Sequence, residues 1–126
     1  MPIVEISALP QPASVHVPTV LERVGLALAS GMECDPAVVW AVWCGVDAGG
    51  YVVRGHAPLT QPQESHDPIV RIMAYEGRSD EVIARTVEGV GRTVAGCLGL
   101  EASNVFVWYE ELRAGRVYTG GKVRGR

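Results

Sequence analysis

Long hydrophobic runs are missing from this chain of 126 residues. No stretch approaches the roughly 20 apolar residues of a membrane helix. The N-terminus has neither the basic stretch nor the apolar core of a signal peptide. A cytoplasmic protein with no membrane partner is therefore the expectation. An excess of positive charge is also missing: 11 Lys and Arg stand against 14 Asp and Glu, a net charge of −3. Nucleic acid is not expected as a partner, because binding phosphates calls for a basic face. The small cluster Lys122, Arg124 and Arg126 reads as a solvated basic terminus. Cysteine is scarce. Cys34, Cys44 and Cys97 are odd in number and widely spaced, which excludes a disulfide framework and a zinc pattern. His16, His56 and His66 show neither HExxH nor His-x-His spacing, and no strand–GxxxxGK–helix arrangement exists. No metal or cofactor is expected.

What the chain does have is itself, twice. Displaced by 66 residues, Pro2-Ile3-Val4 falls on Pro68-Ile69-Val70, Ile6 on Ile72 and Ala8 on Ala74. Glu22, Val24, Gly25 and Ala29 fall on Glu88, Val90, Gly91 and Ala95, and Val39 on Val105. Ala48-Gly49 falls on Ala114-Gly115, and Gly55 on Gly121. Matches in several clusters at one offset, without a gap, indicate duplication of a unit of about 55 residues. The chain then reads as one domain, 1–126, made of repeats 2–55 and 68–121. The polar, proline-rich segment 56–67 is the connector.

Each repeat reads as strand, helix, strand, hairpin. Residues 2–8 and 68–74 are rich in β-branched residues and read as strands. In the first helix Pro18 suits the opening turn, and Val17, Val20, Leu21, Val24 and Leu28 form the apolar stripe. In the second, Ser79 is the expected N-cap and Asp80 and Glu81 favour the dipole. Val82, Ile83, Val87, Val90, Val94, Cys97 and Leu98 recur at helical spacing. Gly31 and Gly99 are expected to end the two helices. Second strands are expected at 38–43 and 105–112, glycine turns after them, and short β-like tails at 51–54 and 116–119. A strand–helix–strand unit of this length favours a right-handed crossover between parallel strands. Two units predict an α/β (α+β) fold, with one four-stranded sheet carrying both helices on one face. Trp40, Trp43, Val39 and Val107 are too apolar for a solvated second face, so an oligomer is expected.

The position of the first proline has a chemical consequence. A small residue after Met1 lets an aminopeptidase remove the methionine, which would leave Pro2 as a free secondary amine. Near cations or in an apolar pocket its ammonium form is disfavoured, and the neutral amine can serve as a general base. The plain alternative is a proline that starts a strand behind a retained Met1.

The stretches "PIVRIMAYEGRSDEVIARTV" and "NVFVWYEEL", with "EGRSDE" at 76–81 and the closing GxxxxGG at 115–121, resemble the short subunit of 4-oxalocrotonate tautomerase. The whole chain resembles a fused, two-unit member of the tautomerase superfamily. It is in the size class of malonate semialdehyde decarboxylase and cis-3-chloroacrylic acid dehalogenase. The resemblance implies a homotrimer with active sites around an N-terminal proline, Pro2. Its repeat copy Pro68 is a mid-chain amide and cannot act as a base. The resemblance further implies that Arg78 holds a substrate carboxylate, and its copy in the first repeat is Pro12. The aromatic hairpin position falls on Tyr51, with Val117 as its copy. The family's second arginine falls on Trp40 and Phe106, so it is absent here. Arg54, Arg71 or Arg116 could substitute. Where the dehalogenase has a paired arginine this chain has Tyr75, its water-activating glutamate falls near Thr119, and the decarboxylase's aspartate falls near Ala37.

Plain structural roles compete at each position. Arg78 could pair with Glu76 or Asp80 beside the helix start. Tyr51, Trp40, Phe106 and Trp108 fit core or subunit packing better than substrate contact, and Tyr75 fits either. The expectation is a tautomerase-like enzyme in which Pro2 moves a proton on a small 2-oxo or enol carboxylic acid. The other reading is a ligand-binding or structural protein without turnover. A dehalogenase, hydratase or decarboxylase is the weaker reading, since the water-activating carboxylates are missing.

Overall fold

The structure is a computed structural model and describes residues 1–61 and 64–125. Residues 62 and 63 of the expected connector, and Arg126 of the expected basic tail, lie outside the described residues. The first β-α-β unit consists of β1 (Ile3–Ala8), α1 (Val17–Met32) and β2 (Trp40–Gly45). The second consists of β3 (Ile69–Tyr75), α2 (Asp80–Leu98) and β4 (Phe106–Leu112). A short hairpin follows, β5 (Val117–Thr119) and β6 (Lys122–Arg124). The main sheet runs β2-β1-β3-β4. β1 is parallel to β2 and β3 to β4, while β1 and β3 are antiparallel at the centre. This is the architecture expected from the repeat.

Alternation decides which face the helices cover. Val4, Ile6 and Ala8 of β1 and Val70, Ile72 and Ala74 of β3 are buried. They pack with Val20, Val24 and Leu28 of α1 and Val90, Val94 and Leu98 of α2 in one core. Each such Val, Leu or Ile contributes about 1.5–3 kcal/mol relative to exposure. Both helices therefore lie on one face.

Both helices start with a side-chain cap. Ser79 Oγ accepts from the Val82 N–H at 3.3 Å, as expected. For α1 the cap is His16, whose Nδ1 accepts from the Thr19 N–H at 3.3 Å, with Pro18 in the first turn. Gly99 ends α2 in the left-handed region at φ 69°, also as expected. Gly31 does not end α1. The helix runs to Met32 and the left-handed cap is Glu33, at φ 55°. Gly31 instead lets the helices touch: a Cβ there would stand 2.9 Å from Cα of Thr86. The tails also differ from expectation. The second half carries a paired hairpin, but the first has a single bridge between Val53 and His56.

The other sheet face bears Ile3, Glu5 and Ser7 of β1 with their cross-strand neighbours. Trp40, Phe106 and Trp108 on this face are 50%, 54% and 40% exposed. An apolar face of this kind calls for cover. In its middle lies a charged row, with Arg71 pairing with Glu110 and Glu5 and its guanidinium 5.4 Å from the Trp108 ring centre.

Gly31→Ala is expected to cost about 1–3 kcal/mol, the usual range for overpacking, because the added methyl meets backbone rather than a flexible side-chain end. Urea denaturation of both proteins checks this. The expected signature is a lower midpoint at unchanged slope.

Candidate active site

The central antiparallel pair places the chain start against the end of β3. Ile3 pairs with Met73 across β1–β3 and with Trp40 across β1–β2. Carried two residues further, the same registers set Met1 between Tyr75 and Val38. The Trp40 N–H donates to the Pro2 carbonyl oxygen at 3.0 Å, which holds this end of β1 on β2. Pro2 itself is buried.

Above this row opens a cavity of about 670 Å³. Met1, Val38, Trp40 and Tyr75 form its sheet side, with Ala37 beside them. Thr119, Gly120, Arg124 and Gly125 of the β5–β6 hairpin form the other side. Thr119, near which the resemblance puts the dehalogenase glutamate, lies in the wall, and so does Tyr75. Among the described residues no carboxylate or imidazole lines the cavity. Among the described residues no cluster of three or more His, Cys, Asp or Glu could hold a metal ion.

Arg78 is not among the residues that line this cavity. Its Nη1 donates weakly to the Tyr75 carbonyl oxygen at 3.4 Å, and the guanidinium lies by the Tyr109 phenol. Burial raises the Tyr109 pKa, and the Arg78 charge partly offsets that rise. The Tyr109 hydroxyl is nonetheless buried without a well-formed hydrogen bond. The proximity is therefore electrostatic, and the directional bond is not made. Arg71 is taken up by Glu5 and Glu110 on the open sheet face. The Glu110 hydrogen bond, the largest contribution, holds its guanidinium more firmly protonated. Phe106 pairs with Ile69, at the opposite end of β3 from Tyr75.

Tyr51 also lies at that opposite end, which is closed. Its hydroxyl donates to the Asp67 carbonyl oxygen at 2.9 Å, and its ring meets His66 edge-on at 4.8 Å. Burial, with a smaller effect of the Asp67 charge, raises the Tyr51 pKa. His66 is fully buried. Its Nε2–H donates to the His56 carbonyl oxygen at 2.9 Å, and its Nδ1 accepts from Ser65 at 2.8 Å. Leu9, the repeat counterpart of Tyr75, is fully buried too. The duplication therefore has one open end, at Pro2, and one filled end, at Pro68. Of the residues singled out in the sequence, Pro2, Tyr75, Trp40 and Arg78 gather at the open end, while Tyr51, Phe106 and Arg71 lie elsewhere.

Sequence reading missed Arg124. Three cations near a chain end look like a solvated tail, whereas Arg124 is half-buried in β6 and forms part of the cavity wall. The available signal was the Gly120-Gly121 turn, which folds the chain end back.

No family model matches the chain, and no curated protein matches it by sequence. Solved structures match over nearly its whole length. Native fused 4-OT superposes with a TM-score of 0.84 at 15% identity, covering 96% of this chain and 94% of its own. The protein Pt0534, solved after inactivation by 2-oxo-3-pentynoate, gives 0.85 at 19% identity, covering 98% and 95%. Malonate semialdehyde decarboxylase gives 0.72 at 14% identity, covering 98% and 92%. The chain thus shares its fold with these proteins, as the sequence resemblance implied. These identities establish a shared fold.

Tyr51 and Tyr109 both have pKa values raised above the ordinary tyrosine value of 10.0. Between that value and the folded one the native state holds more protons than the unfolded chain. Stability is then present in full below about pH 10 and is lost as pH rises further. Tyr109→Phe is expected to leave stability at pH 7 within about 1 kcal/mol, since the hydroxyl it deletes has no well-formed partner. It should also flatten the alkaline loss. Thermal unfolding between pH 7 and 11.5 checks both.

Proposed function

We propose that this chain is a tautomerase-type enzyme that shifts a proton on a small 2-oxo or enol carboxylic acid, with Pro2 as general base. The observation that carries the reading is the seat of Met1. It lines the large cavity and is joined directly to the Pro2 nitrogen. Once an aminopeptidase removes Met1, that nitrogen becomes a secondary amine at the cavity wall. The cationic side chains of Arg78 and Arg124 nearby and the apolar Trp40 disfavour its protonated form. The neutral amine removes a proton alpha to the substrate carbonyl, and the resulting ammonium returns it to another carbon or to the enolate oxygen. Arg78, near the Tyr75 carbonyl, adds positive potential where the enolate charge develops, an effect of the kind that is worth most in a site shielded from water.

The cavity lining argues against water-activating chemistry. Among the described residues no carboxylate or imidazole stands in the wall, so a hydratase or hydrolytic dehalogenase would have no base besides the Pro2 amine to activate water. The second reading, a ligand-binding protein without turnover, is favoured by the same Met1: while it is retained, Pro2 is an amide and the cavity is partly filled. For assembly, the exposed Trp40, Phe106 and Trp108 face supports a trimer. Fused 4-OT has been solved as a symmetric trimer, and a native mass of three chains is expected by sedimentation.

Ketonisation of phenylpyruvate enol, followed by ultraviolet absorbance, tests the enzyme reading. Pro2→Ala is expected to lower kcat by about 10²- to 10⁴-fold, the usual share of a positioned base, with the native mass unchanged. Treatment with 2-oxo-3-pentynoate should add one reagent to the N-terminal peptide and abolish activity, because a secondary amine adds to an alkyne conjugated with a ketone. Absence of turnover in a protein with a free Pro2 amine would rule the enzyme out for this substrate class. Binding of the same acids without turnover would then favour the second reading.

A further inference from the structure

The Met1–Tyr75 cavity has a cation in its wall, Arg124, whose charge the proton transfer uses but whose hydrogen-bonding edge it does not. Arg124 Nε–H donates to the Thr119 carbonyl oxygen at 3.0 Å. Among the described residues its Nη1 and Nη2 have no acceptor, and no carboxylate pairs with it. The single bond fixes the guanidinium across the hairpin and leaves the Nη1–Nη2 edge unused. That edge matches a carboxylate through two parallel hydrogen bonds.

The turn beneath Arg124 is shaped for it. Gly120 and Gly121 have φ 61° and 83°, the two left-handed residues of a type I′ hairpin. The same turn occurs 66 residues earlier, where Arg54 and Gly55 have φ 52° and 76° inside the Val53–His56 bridge. A side chain is therefore accommodated at the first left-handed position in one copy. In the other copy a Cβ on Gly120 would overlap Nη2 of Arg124. Glycine at 120 makes room for the guanidinium, since the backbone shape alone tolerates arginine at the equivalent place. The repeat counterpart of Arg124 is Pro58, which is buried. The arginine and the glycine that seats it thus occur together, and only at the open end.

The geometry points to Arg124 as the carboxylate-binding residue of this cavity, taking the carboxylate of a small 2-oxo acid on its Nη1–Nη2 edge. It would stand in for an arginine that the second strand lacks. Arg78, turned toward the Tyr75 carbonyl and Tyr109, does not line the cavity. The inference rests on the cavity being the substrate site, but its test does not require turnover.

The test is calorimetric titration with phenylpyruvate and with its methyl ester, which lacks the charge. The wild-type protein is expected to bind the acid roughly 10- to 100-fold more tightly than the ester, the range for a charged hydrogen-bonded pair. Arg124→Gln should remove that preference and leave ester binding unchanged. Gly120→Ala, with Arg124 retained, should remove it as well by displacing the guanidinium. Arg78→Gln should keep the preference. The assignment is overturned if wild type shows no preference for the acid, if the preference survives Arg124→Gln, or if only Arg78→Gln abolishes it. A protein that prefers the acid through Arg124 yet gives no turnover supports the clamp and removes the enzyme reading, so the two failures are distinguishable.

Discussion

The antiparallel pairing of β1 with β3 is the contact on which the rest of this molecule depends. Each β-α-β unit alone is a two-stranded parallel ladder with one helix, too small to bury its own apolar surface. Joining the two units along β1 and β3 makes a four-stranded sheet and closes one core between sheet and helices. The antiparallel sense also sets the chain start against the end of β3. That one register sets Met1 opposite Tyr75, with Pro2 one residue along the strand, and the cavity lies over that row.

Because the two units are related by this pairing, the fold offers two equivalent ends, and the sequence treats them differently. At the Pro68 end Leu9 fills the place that Tyr75 leaves open, and Tyr51 and His66 close over Asp67 through fully made hydrogen bonds. That investment suits an end where the proline nitrogen is a mid-chain amide with no chemistry to offer. At the Pro2 end the hairpin stands off from the sheet, and the space between them is lined by Tyr75, Trp40 and Arg124. Of the two ends, only the one at Pro2 keeps this cavity among the described residues.

Much of the fold could be read from the residues. The 66-residue offset announced two equal units, β-branched runs marked the four central strands, and Ser79 and Gly99 marked the limits of α2. Gly31 misled because glycine has two uses near a helix end: it can cap the helix or let a neighbour approach, and only the position of Thr86 decides between them. The cavity wall was legible in part, as at Tyr75. It was not legible at Arg124, because a charge near the terminus looks solvated until the Gly120-Gly121 turn is seen to fold it back. Tyr51 and Phe106 carried a motif position whose end of the sheet is closed here, a difference made by connector residues that no local pattern connects to them.

The central claim is that Pro2 presents a free amine to the cavity. Intact mass spectrometry of the untagged protein, expressed in a host with normal methionine aminopeptidase, tests it most directly. The account predicts a mass short of the full sequence by one methionine residue. A mass that retains Met1 would make Pro2 an amide, and catalysis by its nitrogen would be contradicted.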